Sequence, residues 1–212
     1  DDSRPPWDLL GHAISARLLW ELDPAPAGSI ATVGYLGALR VFEEPAVLEQ
    51  YMATAATPPS KLDGHTAVRI SSVVGLIDRA ERSGRWDDPT IEQLRAAPDL
   101  ATALSMIPKS WVDDLATMTD RCLPLITPHR SDHVRIAPTF DGSTAVGGAD
   151  ADYITADGTL VDIKATKDPK LRVRDLRQIV SYALLDWSDE YHIASVGILA
   201  TRQAQLVTWP LD

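Results

Sequence analysis

Cysteine is nearly absent: Cys122 is the single one in 212 residues. One thiol excludes an internal disulfide framework and any protein-only four-cysteine metal or iron–sulfur site. It fits a reducing, cytoplasmic compartment. No apolar run reaches the roughly 18 residues that a membrane span needs, so no membrane role is expected. No Gly-rich P-loop occurs, which removes an intrinsic ATP motor. No Gly-x-Ser-x-Gly elbow occurs, so Ser-His-Asp catalysis has no nucleophile to build on. Positive charge is also scarce: 20 Lys and Arg face 30 Asp and Glu, a formal net charge of −10. That balance counts against a non-specific nucleic-acid binder. The distribution says more than the sum. Lys164, Lys167, Lys170, Arg172, Arg174 and Arg177 cluster in one short segment, with only Asp168 and Asp175 among them.

The length suits one composite domain, or a core with a helical extension. The pattern predicts helices over 6–22, parts of 29–56 with Pro45 opening a second piece, 66–84, 89–97 and 108–128. The character changes after about residue 125. "HVRIAPTF", "AVGGADADYI" and "TLVDIKAT" read as strands. Asp157-Gly158 between the last two is a hairpin-turn signal. Residues 171–187 read as a helix with Leu176, Ile179, Val180, Ala183 and Leu184 on one stripe. "ASVGILAT" and "QLVTWPL" close the chain as strands. The expectation is therefore an α/β (α+β) protein. A mainly helical region, 1–108, precedes a core, 109–212, ordered helix, three strands, helix, two strands.

Chemistry concentrates in "GGADADYITADGTLVDIKAT". Alternate residues of a strand share a face, so Leu160, Asp162 and Lys164 point one way. An acid and a lysine two apart on a buried strand are costly unless they pair, bind a metal or act on substrate. Asp150 and Asp152 lie on the hairpin partner, where pairing can bring one of them beside Asp162. Converging carboxylates repel, and a hard divalent cation such as Mg²⁺ or Mn²⁺ relieves the repulsion.

Asp152…Asp162-Ile163-Lys164 resembles the PD-(D/E)xK nuclease superfamily, whose fold is restriction-endonuclease-like. "QIVSY" adds Gln178 and Tyr182, similar to the Gln-x-x-x-Tyr of the RecB-like branch. At i, i+4 the two share a helix face. The resemblance covers about residues 110–212. It implies a hydrolase cleaving phosphodiester bonds in DNA, with RNA less favoured. Asp152 and Asp162 would hold Mg²⁺ or Mn²⁺, with the Ile163 carbonyl as a further ligand. Lys164 would position the attacking water, Gln178 and Tyr182 would orient the site, and Lys167, Lys170, Arg172 and Arg174 would contact phosphates. The motif departs from the family where Ala151 replaces proline. Gly147 to Asp150 fits the branch's Gly-x-x-Asp form, so Asp150 is the alternative ligand to Asp152. The preceding helix offers only Asp113, Asp114 and Asp120 as a third acid.

Blander readings stand beside these. The aspartates can be a solvated hairpin, Gln178 and Tyr182 a surface pair, and the basic run a solvated helix start. An EF-hand is rejected, because Ile154 and Thr155 occupy the positions that need an oxygen ligand and glycine. His129 and His133 lack a third ligand and read as loop residues, His12 as structural, and Cys122 as core. At the level of function, the alternative is a catalytically silent nuclease-fold module for binding or scaffolding. The acidic helical region would carry a protein partner or a second copy.

Overall fold

The structure, a computed structural model, describes residues 7–22, 30–168 and 170–211, with side chains omitted at Trp7 and over 30–35. The protein is α+β, with a helical N-terminal region and a five-stranded mixed sheet. It divides into two compact units. Among described residues, one holds 7–21 and 30–120, and the other holds Leu22 and 121–211. The division falls between Asp120 and Arg121, inside helix α7. No helix among the described residues is long and apolar enough to cross a membrane.

The first unit contains α1 (Trp7–Leu22), α2 (Ile30–Val41), α3 (Pro45–Ala55), α4 (Gly64–Ser83), α5 (Pro89–Arg95) and α6 (Leu100–Ser105). Short polar side chains start the helices. Asp63, Asp88 and Asp99 accept from the backbone N–H groups of Thr66, Thr90 and Thr102, at 2.9, 2.8 and 2.7 Å. Each satisfies one donor that the first helical turn leaves orphaned. Helix α4 buries Ile70, Val73, Leu76 and Ile77. Its Gly75 lies against α1: a Cβ there would stand 2.7 Å from the Ala13 backbone nitrogen. His12, read as structural, has its Nδ1 2.6 Å from Asp78 Oδ2. Helix α6 was not anticipated. Six residues are too few for the 3.6-residue period to register.

Helix α7 (Lys109–Ile126) leads into the second unit and continues past Pro124. Strands β1 (Arg135–Ile136), β2 (Tyr153–Ile154), β3 (Thr159–Lys164), β4 (Ser195–Ala200) and β5 (Gln205–Pro210) lie in that order across the sheet. Strand β3 pairs antiparallel with β2 and parallel with β4, while β1 and β5 pair antiparallel with β2 and β4. A parallel pair needs a crossover, which α8 (Val173–Leu184) supplies.

Two strands are shorter than the sequence suggests. Ala137 takes a left-handed φ of 46° just before Pro138, which ends β1. Ala145 and Val146, expected to open the second strand, instead close a 3₁₀ turn over Asp141–Val146, and β2 begins only at Tyr153. The Ser143 hydroxyl holds that loop, accepting from Phe140 N at 3.0 Å and donating to Ala149 O at 2.7 Å. The Asp157-Gly158 turn is present, with Gly158 at φ 78°. Phe140, Ala151, Ile154, Leu160, Ile179, Val196 and Ile198 form the core between α8 and the sheet. The apolar stripe of α8 is narrower than expected. Ile179 is buried, but Val180 and Leu184 are exposed.

Candidate active site

Register sets the site. Tyr153 stands opposite Val161 and Ile154 opposite Leu160. Continuing that register places Asp152 opposite Asp162. The two-stranded ladder stops at Tyr153, and the Asp152 side chain takes up the next amide: Ile163 N donates to Asp152 Oδ2 at 2.6 Å. Within a strand a residue's N–H and C=O point to the same side. The Ile163 carbonyl therefore also faces the Asp152 side of β3.

Asp162 and Lys164 share the face of β3 that carries Leu160 and packs toward α8. Asp162 is only 4% exposed. The Lys164 ammonium lies 2.8 Å from Asp162 Oδ2. The ammonium is the ionic partner of this buried oxygen. Lys164 Nζ donates to Gln178 Oε1 at 2.9 Å, and Gln178 Nε2 donates to the Tyr182 hydroxyl at 2.6 Å. The Tyr182 ring stacks on Phe140 with centroids 6.2 Å apart. The chain Lys164–Gln178–Tyr182 thus fixes the ammonium from the helix side.

The end of β3 is pinned as well. Thr201 N donates to Lys164 O at 2.9 Å and Arg202 Nε donates to Ala165 O at 3.1 Å. Arg121 in turn donates to the carbonyl of Arg202 at 2.9 Å. These bonds tie the β4–β5 turn to the strand end that bears the lysine.

The local charge is negative and poorly hydrated. Burial, followed by the neighbouring Asp162 charge, raises Asp152 to about 7. Burial also raises Asp162, Lys164 opposes that shift, and Asp175 adds to it. Asp175 is the residue that sequence reasoning missed. It is buried on the first turn of α8, where its Oδ2 accepts from Arg172 N at 3.3 Å. With Lys164, Thr166, Arg172, Arg174 and Gln178 it lines a cleft of about 220 Å³. The missed signal is its spacing: Asp175 precedes Gln178 by three residues, one turn away on the same face.

Of the expected site residues, Asp152, Asp162, Lys164, Gln178 and Tyr182 come together. Asp150 lies exposed, in an isolated bridge to Thr139, and acts on the site through charge by raising Asp152. Arg172 and Arg174 border the cleft, whereas Lys167 and Lys170 are exposed in the β3–α8 loop and do not line it. Asp157 is turn chemistry, taking a hydrogen bond from the Thr155 hydroxyl. His129 Nδ1 lies 3.1 Å from the Tyr153 hydroxyl. Cys122 is buried, and burial pushes its thiol up to about 11.

Among the described residues no three His, Cys, Asp or Glu side chains are grouped to hold a metal by themselves. Two carboxylates are nevertheless the usual protein share for Mg²⁺, which keeps waters and binds substrate phosphates. The buried carboxylate of Asp162 and that of Asp152 beside it are oxygen donors of the kind that suit such a hard cation. Comparison with protein-family models, curated proteins and solved structures returned no match.

Proposed function

We propose that the protein is a divalent-metal-dependent nuclease of the PD-(D/E)xK type, with a restriction-endonuclease-like core, acting on DNA. The observation that carries this reading is the convergence of Asp152, Asp162 and Lys164 toward the C-terminal end of the central strand β3, with Gln178 holding the lysine. Asp152, Asp162 and the Ile163 carbonyl would hold Mg²⁺ or Mn²⁺. Such an ion supplies activation of water and relief of charge on the phosphoryl oxygens. Lys164 offers a compact cation for the attacking water and for the charge that develops in the transition state. Gln178 and Tyr182 limit where that cation can go. Arg172 and Arg174 border the cleft and suit phosphate contacts.

The net charge of −10 favours a second reading, a catalytically silent module on the same fold. Titration calorimetry with Mn²⁺ separates the two. The nuclease reading expects binding by the wild type and its loss in Asp162→Asn. No binding by the folded wild type would leave the silent module.

A further inference from the structure

The turn between β4 and β5 stands beside the cleft. Strands β3 and β4 run parallel with Lys164 opposite Ala200, so the turn that follows Ala200 lies at the lysine end of β3. Gln203 N donates to Ala200 O and Ala204 N to Thr201 O, both at 3.2 Å, which closes the turn. Gln203 Nε2 then reaches Lys167 O at 3.3 Å and Thr166 O at 3.5 Å. Thr166 lines the cleft, so the turn and the cleft wall form one hydrogen-bonded piece.

Arg121, from α7, is docked on this piece. Its Nη1 donates to Arg202 O at 2.9 Å and its Nη2 to Gln203 O at 3.4 Å. Both acceptors are neutral carbonyls. A guanidinium has five N–H donors, so these two bonds fix its place and leave three donors and the whole charge. Arg121 is exposed, and among the described residues it makes no ion pair. The bases of the cleft differ. Lys164 stands 2.8 Å from Asp162, Arg172 3.5 Å from Asp168 and Arg174 3.4 Å from Asp175. Their charges are answered within the site, whereas the charge of Arg121 is held in place and unanswered. In a chain of net charge −10, such a cation beside the cleft suits an anion from outside.

We propose that Arg121 is a phosphate-contact residue, gripping the nucleic-acid backbone where it leaves the cleft and passes over the β4–β5 turn. The planar guanidinium fork matches the oxygens of a phosphodiester. A backbone contact of this kind positions the strand and does not read its sequence. Arg121 lies outside the basic run Lys164–Arg177, and only the fold brings it to the same end of β3. The choice of ligand rests on the nuclease reading, but binding rather than cleavage tests the contact.

Fluorescence anisotropy of a labelled duplex and a labelled single strand of DNA, in chelator and again with Ca²⁺ in place of Mg²⁺, is measured from roughly 50 to 200 mM salt. For the wild type, the logarithm of the association constant falls linearly with the logarithm of salt. Arg121→Gln, which keeps an N–H donor for the turn carbonyls, keeps its circular dichroism, binds more weakly and loses about one from the slope. Arg121→Lys keeps the charge and the slope. Arg85→Gln, at an exposed arginine of the helical unit, keeps the slope too. A wild-type slope in Arg121→Gln overturns the phosphate contact and leaves the nuclease reading standing. Arg121→Lys as weak as Arg121→Gln overturns it by making the role structural, and an equal loss in Arg85→Gln overturns it by making the effect one of net charge. A wild type that binds neither DNA in either condition removes the nuclease reading and the contact with it.

Discussion

Lys164 and Gln178 form the hinge of the site: Nζ lies 2.9 Å from Oε1, while the same ammonium stands 2.8 Å from Asp162 Oδ2. The helix and the strand hold one cation between them. Gln178→Leu keeps the shape of the helix face and removes the acceptor. Lys164 then answers to Asp162 alone and is less well placed. In a single-turnover cleavage assay, the rate is expected to fall by about tenfold to a hundredfold, the usual effect of losing an orienting partner. The melting temperature should move little, since Gln178 is only partly buried.

Asp152 is raised to about 7 by burial and by Asp162. In the unfolded chain its pKa falls to about 3.9. Between these values the folded state binds the extra proton, so this residue's contribution to stability is full below about pH 4 and is lost as pH rises through about 7. Asp152→Asn removes the titration. Urea unfolding should show the variant gaining stability relative to wild type from pH 5 to pH 8, by on the order of 2 kcal/mol. Cation affinity runs the opposite way. Mn²⁺ binding by the wild type should tighten as pH rises through 7, because the ion competes with that proton.

Asp162 is buried and answered by Lys164. Lys164→Met leaves the carboxylate without a counter-charge, at a cost of roughly 3 kcal/mol at pH 8. At pH 5 the cost should shrink, because the already raised carboxyl takes up a proton. Chemical denaturation at the two pH values checks this. Equal losses at both would show that Asp162 does not depend on the lysine.

Gly158 sits at φ 78°, and a Cβ on it would stand 2.5 Å from His192 O. Gly158→Ala combines a strained backbone with a clash at the start of β3. The expected loss is about 2 kcal/mol or more, read as a drop in denaturation midpoint.

Much of this arrangement is legible in the sequence. Strand alternation put Asp162 and Lys164 on one face, and Asp157-Gly158 marked the turn that aligns Asp152 with them. The i, i+4 spacing joined Gln178 to Tyr182. What was hidden depended on contacts distant in sequence. Asp175 looks like one more helix-start acid until packing buries it near Asp162. The grip of Thr201 and Arg202 on the end of β3 spans 37 residues of sequence. Strand lengths were overestimated because the Ala137 backbone and the 3₁₀ turn at Asp141–Val146 leave no mark on hydrophobic period. The stripe of α8 was read too wide because its periodicity reports that residues are apolar, not which of them are covered.

The most direct test is a digest of linear, circular and single-stranded DNA with Mg²⁺, Mn²⁺ or chelator, comparing wild type with Lys164→Ala shown by circular dichroism to be folded. The account predicts cleavage by the wild type with metal, none with chelator, and a loss of about a hundredfold or more in the variant. Identical behaviour of the two proteins, or cleavage that survives chelation, would contradict it.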